Sequence, residues 1–127
     1  MRRFLFVLAV VALATVGCEN PVEVQSDILQ VRKAASDVEL TNVSNAPVYY
    51  FAVDRALLAL LDWVPCADPA TCQGIPAGAA KQVPFDSIEG YSATTADVVV
   101  YHWRLVRNVG TSGFRPDSVR AVIVPIR

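Results

Sequence analysis

Two C-terminal stretches constrain the fold more than any other feature of the chain. ADVVVYHWRLV (residues 96–106) and DSVRAVIVPIR (117–127) are rich in β-branched and aromatic residues, and RNVGTSGFRP lies between them. Runs of this composition suit a pleated, half-buried surface, so the two are expected to pair as a long hairpin. DILQVRK (27–33) and DVELTNV (37–43) alternate apolar and polar residues, and PVYYFAV (47–53) follows the turn formers NVSNAP. Residues 37–53 therefore read as an antiparallel pair. KQVPF and SIEGYS offer two shorter, weaker strands. About seven short strands at this spacing point to a mostly β chain folded as a single antiparallel sandwich.

One segment departs from the pattern. In DRALLALLDWVPC (54–66), Leu57, Leu58, Leu60, Leu61 and Val64 fall on one face at helical spacing, with Asp54 as a cap and Pro65 as a stop. A strand would place leucines on both faces and bury Asp62 among them. A short helix over 55–63 is expected.

The N-terminus has a different character. Arg2 and Arg3 precede the apolar run Phe4 to Ala14, and Thr15-Val16-Gly17 leads directly to Cys18. This is the pattern of a secretory signal, too short for a membrane span of ~20 residues. The segment resembles a bacterial lipoprotein signal over residues 1–18, with Thr15 where Leu is usual and Val16 where Ala or Ser is more frequent. The resemblance implies cleavage before Cys18, a diacylglycerol on its thiol and acylation of the new amino group. Residues 18–26 would then be a lipidated cysteine and a short tether, followed by the sandwich over 27–127. Glu19, rather than Asp, after the cysteine implies the outer membrane facing the periplasm, and the lipid would be the membrane attachment. VELTNVSNAPVYYF (38–51) is similar to paired strands of immunoglobulin-like domains on bacterial envelope proteins. That similarity carries no functional residue.

Charge and cysteine usage narrow the function classes. Without Arg2 and Arg3 the chain has 9 basic against 12 acidic residues, a net charge of −3, which argues against nucleic acid as a partner. If Cys18 carries lipid, Cys66 and Cys72 remain as an even pair in CADPATC, within a compartment that permits disulfides, and a bridge between them is expected. Their five-residue interval differs from the two-residue interval of redox motifs, and a structural zinc would need two further ligands. No metal or cofactor is expected.

Catalytic signals are sparse. His102, the single histidine, lies in VVVYHWRLV, where alternation groups it with Val98, Val100 and Arg104, and groups Tyr101 with Val99, Trp103 and Leu105. The second set is the better core, so His102 is expected on the solvated face. No nucleophile elbow, HExxH or phosphate-binding loop is present; GIPAGAAKQVP lacks the Lys-Ser/Thr ending of such a loop. The most distinctive surface signal is Arg104, Arg107, Arg115, Arg120 and Arg127 against Asp117 alone, opposed by the acids of residues 19–39. These arginines either pair with the acidic N-terminal part or form an anion-binding surface at Arg104, Arg107, Arg115 and Arg120; internal pairing is the preferred reading. The chain reads as a non-catalytic, lipid-anchored envelope protein serving as a binding or structural module. The alternatives are an envelope-held inhibitor or accessory subunit of another envelope protein and, ranked after it, an enzyme of unmarked type.

Overall fold

A computed structural model describes residues 23–127; the signal segment and Cys18 lie outside the described residues. Among the described residues eight strands form two antiparallel four-stranded sheets. Sheet A holds β1 (Glu23–Gln25), β2 (Leu29–Lys33), β3 (Asp37–Asn42) and β6 (Ala80–Pro84) in that order. Sheet B runs β5 (Gly74–Ile75), β4 (Val48–Asp54), β7 (Asp97–Arg107) and β8 (Phe114–Pro125). Leu29, Val31, Val38 and Leu40 of sheet A pack against Val48, Tyr50, Val98, Val100, Val122 and Val124 of sheet B. The chain is a β-sandwich, and the hairpin expected from the C-terminal stretches is β7 paired with β8.

Several local expectations are corrected. Residues 37–53 do not form one pair: β3 and β4 belong to different sheets, joined by an arch over 43–47. Asn42 makes that arch. Its buried side-chain amide donates to the carbonyls of Ala46 at 2.7 Å and Ile75 at 2.9 Å, while its oxygen accepts from the N–H of Ser44. An asparagine so committed turns the chain away from its own sheet. SIEGYS forms no strand; Glu89 makes an isolated parallel bridge to Val53. β1 also lies inside the stretch expected as a tether, extending sheet A toward the N-terminus.

The expected helix over 55–63 is a 3-10 turn, Arg55–Leu60, capped by Asp54 accepting from the N–H of Ala56 at 3.0 Å. None of its residues is buried, and Leu60 is 85% exposed. Six residues are too few to repay the nucleation of an isolated α-helix. The segment instead lies on the outer face of sheet B. Leu57 fits against Gly90, where an added Cβ would come within 2.6 Å of its side chain and φ is +75°.

Candidate functional site

The excursion between β4 and β5 gives sheet B a second covered face. Pairing of Tyr49 with Trp103, Phe51 with Tyr101 and Val53 with Val99 sets these side chains on the outer side. Trp63 lies over them, its ring centroid 5.0 Å from Phe51, 4.5 Å from Tyr101 and 6.1 Å from Trp103. The Trp103 Nε1–H donates to the Cys66 carbonyl at 3.0 Å, so the buried indole has its polar partner. Cys66 and Cys72 form the expected disulfide, with Cα atoms 5.7 Å apart.

This covering leaves a groove of about 490 Å³ between the β4 edge of sheet B and the β6 edge of sheet A. Tyr50, Phe51, Trp63 and Val64 give it an aromatic and aliphatic side, and Lys81 and Gln82 a polar one. Val64 is 82% exposed at its rim, and the Lys81 ammonium lies 5.5 Å from the Tyr50 ring centroid. The edge of β4 is closed at both ends: Tyr50 N–H donates to Gln73 O at 3.2 Å, and Glu89 bonds to Ala52 O and Asp54 N. Between them the Ala52 N–H faces the groove with no partner among the described residues. The arrangement can hold a ligand that offers an apolar group to Trp63 and an acceptor to that N–H. Tryptophan beside an exposed valine in DWVPC is the only hint of this groove in the sequence.

His102 is not on a solvated face. It is fully buried, on the core side with Val98 and Val100, because the face holding Tyr101 and Trp103 is covered by the 55–72 excursion instead of serving as the inter-sheet core. Its Nε2 lies 3.0 Å from Ser26 Oγ, and its Nδ1 lies 3.5 Å from the Val100 carbonyl. Desolvation holds the imidazole below its ordinary 6.5, opposed by the Val100 bond. Ser26 Oγ is already committed to the turn, accepting from the N–H of Leu29 at 3.0 Å. Among the described residues no carboxylate hydrogen-bonds the ring, so the pair joins the two sheets and lacks the third member of a nucleophilic triad.

The arginines do not gather. Arg120 pairs with Asp27 across the sandwich, Arg107 lies over Phe114 at 5.1 Å, and the buried Arg104 Nε has no partner among the described residues. Arg115 is exposed on β8. Among the described residues no group of three or more His, Cys, Asp or Glu side chains could hold a metal, and no helix is long and apolar enough to cross a membrane. Comparison with protein-family models, curated proteins and solved structures finds no match to this chain.

Proposed function

We propose that this is a non-catalytic, lipid-anchored protein of the bacterial envelope, held through Cys18 and facing the periplasm, whose sandwich binds a ligand in the groove under Trp63. Its immunoglobulin-like character belongs to the same proposal. The observation that carries the binding reading is the groove itself: aromatic side chains and an unpaired backbone donor converge where the two sheets part. Aromatic surface beside a few placed polar groups is the usual make-up of a binding cleft.

A photoreactive residue in place of Val64, in the membrane-bound full chain, tests it. Adducts are expected at that rim position and are expected to vanish with Trp63→Ala. Equal labelling after Trp63→Ala would refute the groove as the site. The second reading, an accessory subunit or inhibitor, is favoured by Val109, which is 97% exposed at the tip of the β7–β8 hairpin. Exposed loops on a rigid scaffold are common contact sites. A stoichiometric protein adduct from position 109, with none from 64, would select that reading.

A further inference from the structure

Among the described residues β8 is a free edge of sheet B, and the pairing pattern states which of its backbone groups lack partners there. Tyr50 and Asp54 turn their N–H groups to the outside of β4, so β4 bonds to β7 through residues 49, 51 and 53. By the same alternation β7 turns Val98, Val100 and His102 toward β8, where Val124, Val122 and Arg120 meet them. Ala121 and Ile123 therefore direct both N–H and C=O away from the sheet, at an edge where no strand pairs among the described residues. Their side chains continue an apolar row on the outer face with Val119: Val119 is 45% and Ile123 42% exposed, and Ala121 is exposed.

We propose that a second copy of this chain adds to the edge, β8 antiparallel to β8, with the two-fold axis at Ala121. In this register Ala121 faces its own copy and Val119 faces Ile123 of the other chain, so the apolar row completes itself. Arg120 faces Val122, so no like charges oppose one another within residues 119–123. The edge is bounded by a bulge opposite residues 102–104, with Ser118 at φ 54°, and by Pro125, which has no N–H to offer. These stops confine pairing to one short register, whereas an unbounded apolar edge invites open-ended aggregation.

Chain entry fits the same symmetry. The two-fold axis of an antiparallel edge pair stands perpendicular to the sheet, so sheet A of both copies lies on one side. The chain enters each copy at β1 of sheet A, four residues after Glu19 begins the segment that follows Cys18. That segment reaches about 14 Å, so both anchors can enter one bilayer. This last step rests on the proposed anchoring; the edge pairing does not.

Cysteine cross-linking in membranes that carry the full chain tests the register. Directly opposed residues in such a pair lie about 5.5 Å apart at Cα, within disulfide reach, whereas Val119 and its own copy are about 13 Å apart. Mild oxidation of Ala121→Cys is expected to give a covalent dimer, and Val119→Cys none. Adding Ile123→Lys to Ala121→Cys is expected to lower the cross-linked fraction about tenfold. Dimer from both single variants alike would show random collision and overturn the proposal. Absence of dimer from Ala121→Cys would overturn it as well, including the case in which residues 18–22 of the same chain cover the edge. Light scattering from the unmodified chain in detergent must give twice the protomer mass; a monomer mass refutes the pairing without relying on any variant. Loss of lipid from Cys18 would remove the anchoring argument and leave these readouts unchanged.

Discussion

Burial of His102 between the sheets ties the start of the domain to the centre of sheet B through Ser26 Oγ. Its register partners are Tyr50 on β4 and Arg120 on β8, the latter paired with Asp27. Because desolvation lowers the folded-state pKa, the unfolded chain takes up the proton first as pH falls. Stability is thus fully present above 6.5 and is lost as pH falls from there toward the depressed folded value, at up to about 1.4 kcal/mol per pH unit. Urea unfolding midpoints should drop between pH 7.5 and pH 5, and His102→Gln should flatten that dependence. An unchanged slope in the variant would assign the pH effect to other groups. Sequence alternation could separate the two faces of β7 but not say which is inside. Tyr101 and Trp103 form the bulkier set, and the usual inference places bulk in the core. That inference assumes one covered face, whereas here both Val99 and Val100 are buried, on opposite sides.

At the level of elements, strands were legible where side-chain alternation and β-branching coincided. β2, β3, β4, β7 and β8 fall close to the stretches read as strands, because each needs only local pattern. Sheet membership was not legible for β3 and β4, since Asn42 sends the chain across the sandwich through partners at Ala46 and Ile75. A side chain that reaches 33 positions along the chain leaves no local signature. The 55–60 segment shows the converse case: its leucine spacing suits a helix, but Leu57 is held against Gly90 and Trp63 against Phe51, and these contacts fix a single 3-10 turn. The disulfide at the end of this excursion was legible from cysteine parity once Cys18 was set aside for lipid, and its consequence is local. Closing so short a loop restricts the unfolded chain little, so Cys66→Ser with Cys72→Ser should cost roughly 2 kcal/mol and leave the sandwich folded. Thermal unfolding by circular dichroism gives the measure. A variant that does not fold at all would mean that the loop, through the Trp103 bond to Cys66, organises the outer face of sheet B.

For the molecule as a whole, the proposed anchoring through Cys18 raises the question whether lipid alone would attach it to the membrane or whether its arginines would assist. A single acyl chain binds a bilayer only marginally, while two or more hold a soluble domain stably, so a triacylated Cys18 would need no second signal. Exposed cations near an anionic leaflet add about 1 kcal/mol each, enough to matter only if several face the same way. Among the described residues Arg120 is neutralised by Asp27 and Arg107 is drawn over Phe114, and the net charge without Arg2 and Arg3 is negative. Under the proposed anchoring, this distribution gives the arginines no concerted share in the attachment. The full chain with Cys18→Ser should lose a fatty-acid label and appear in the soluble fraction, and adding Arg107→Glu with Arg115→Glu should leave any association with anionic vesicles unchanged. Equal labelling of Cys18→Ser would refute lipidation. A salt-sensitive loss of vesicle binding on reversing the two arginines would instead assign the β7–β8 hairpin a share of the membrane contact, and with it an orientation in which the tip at Val109 points toward the bilayer.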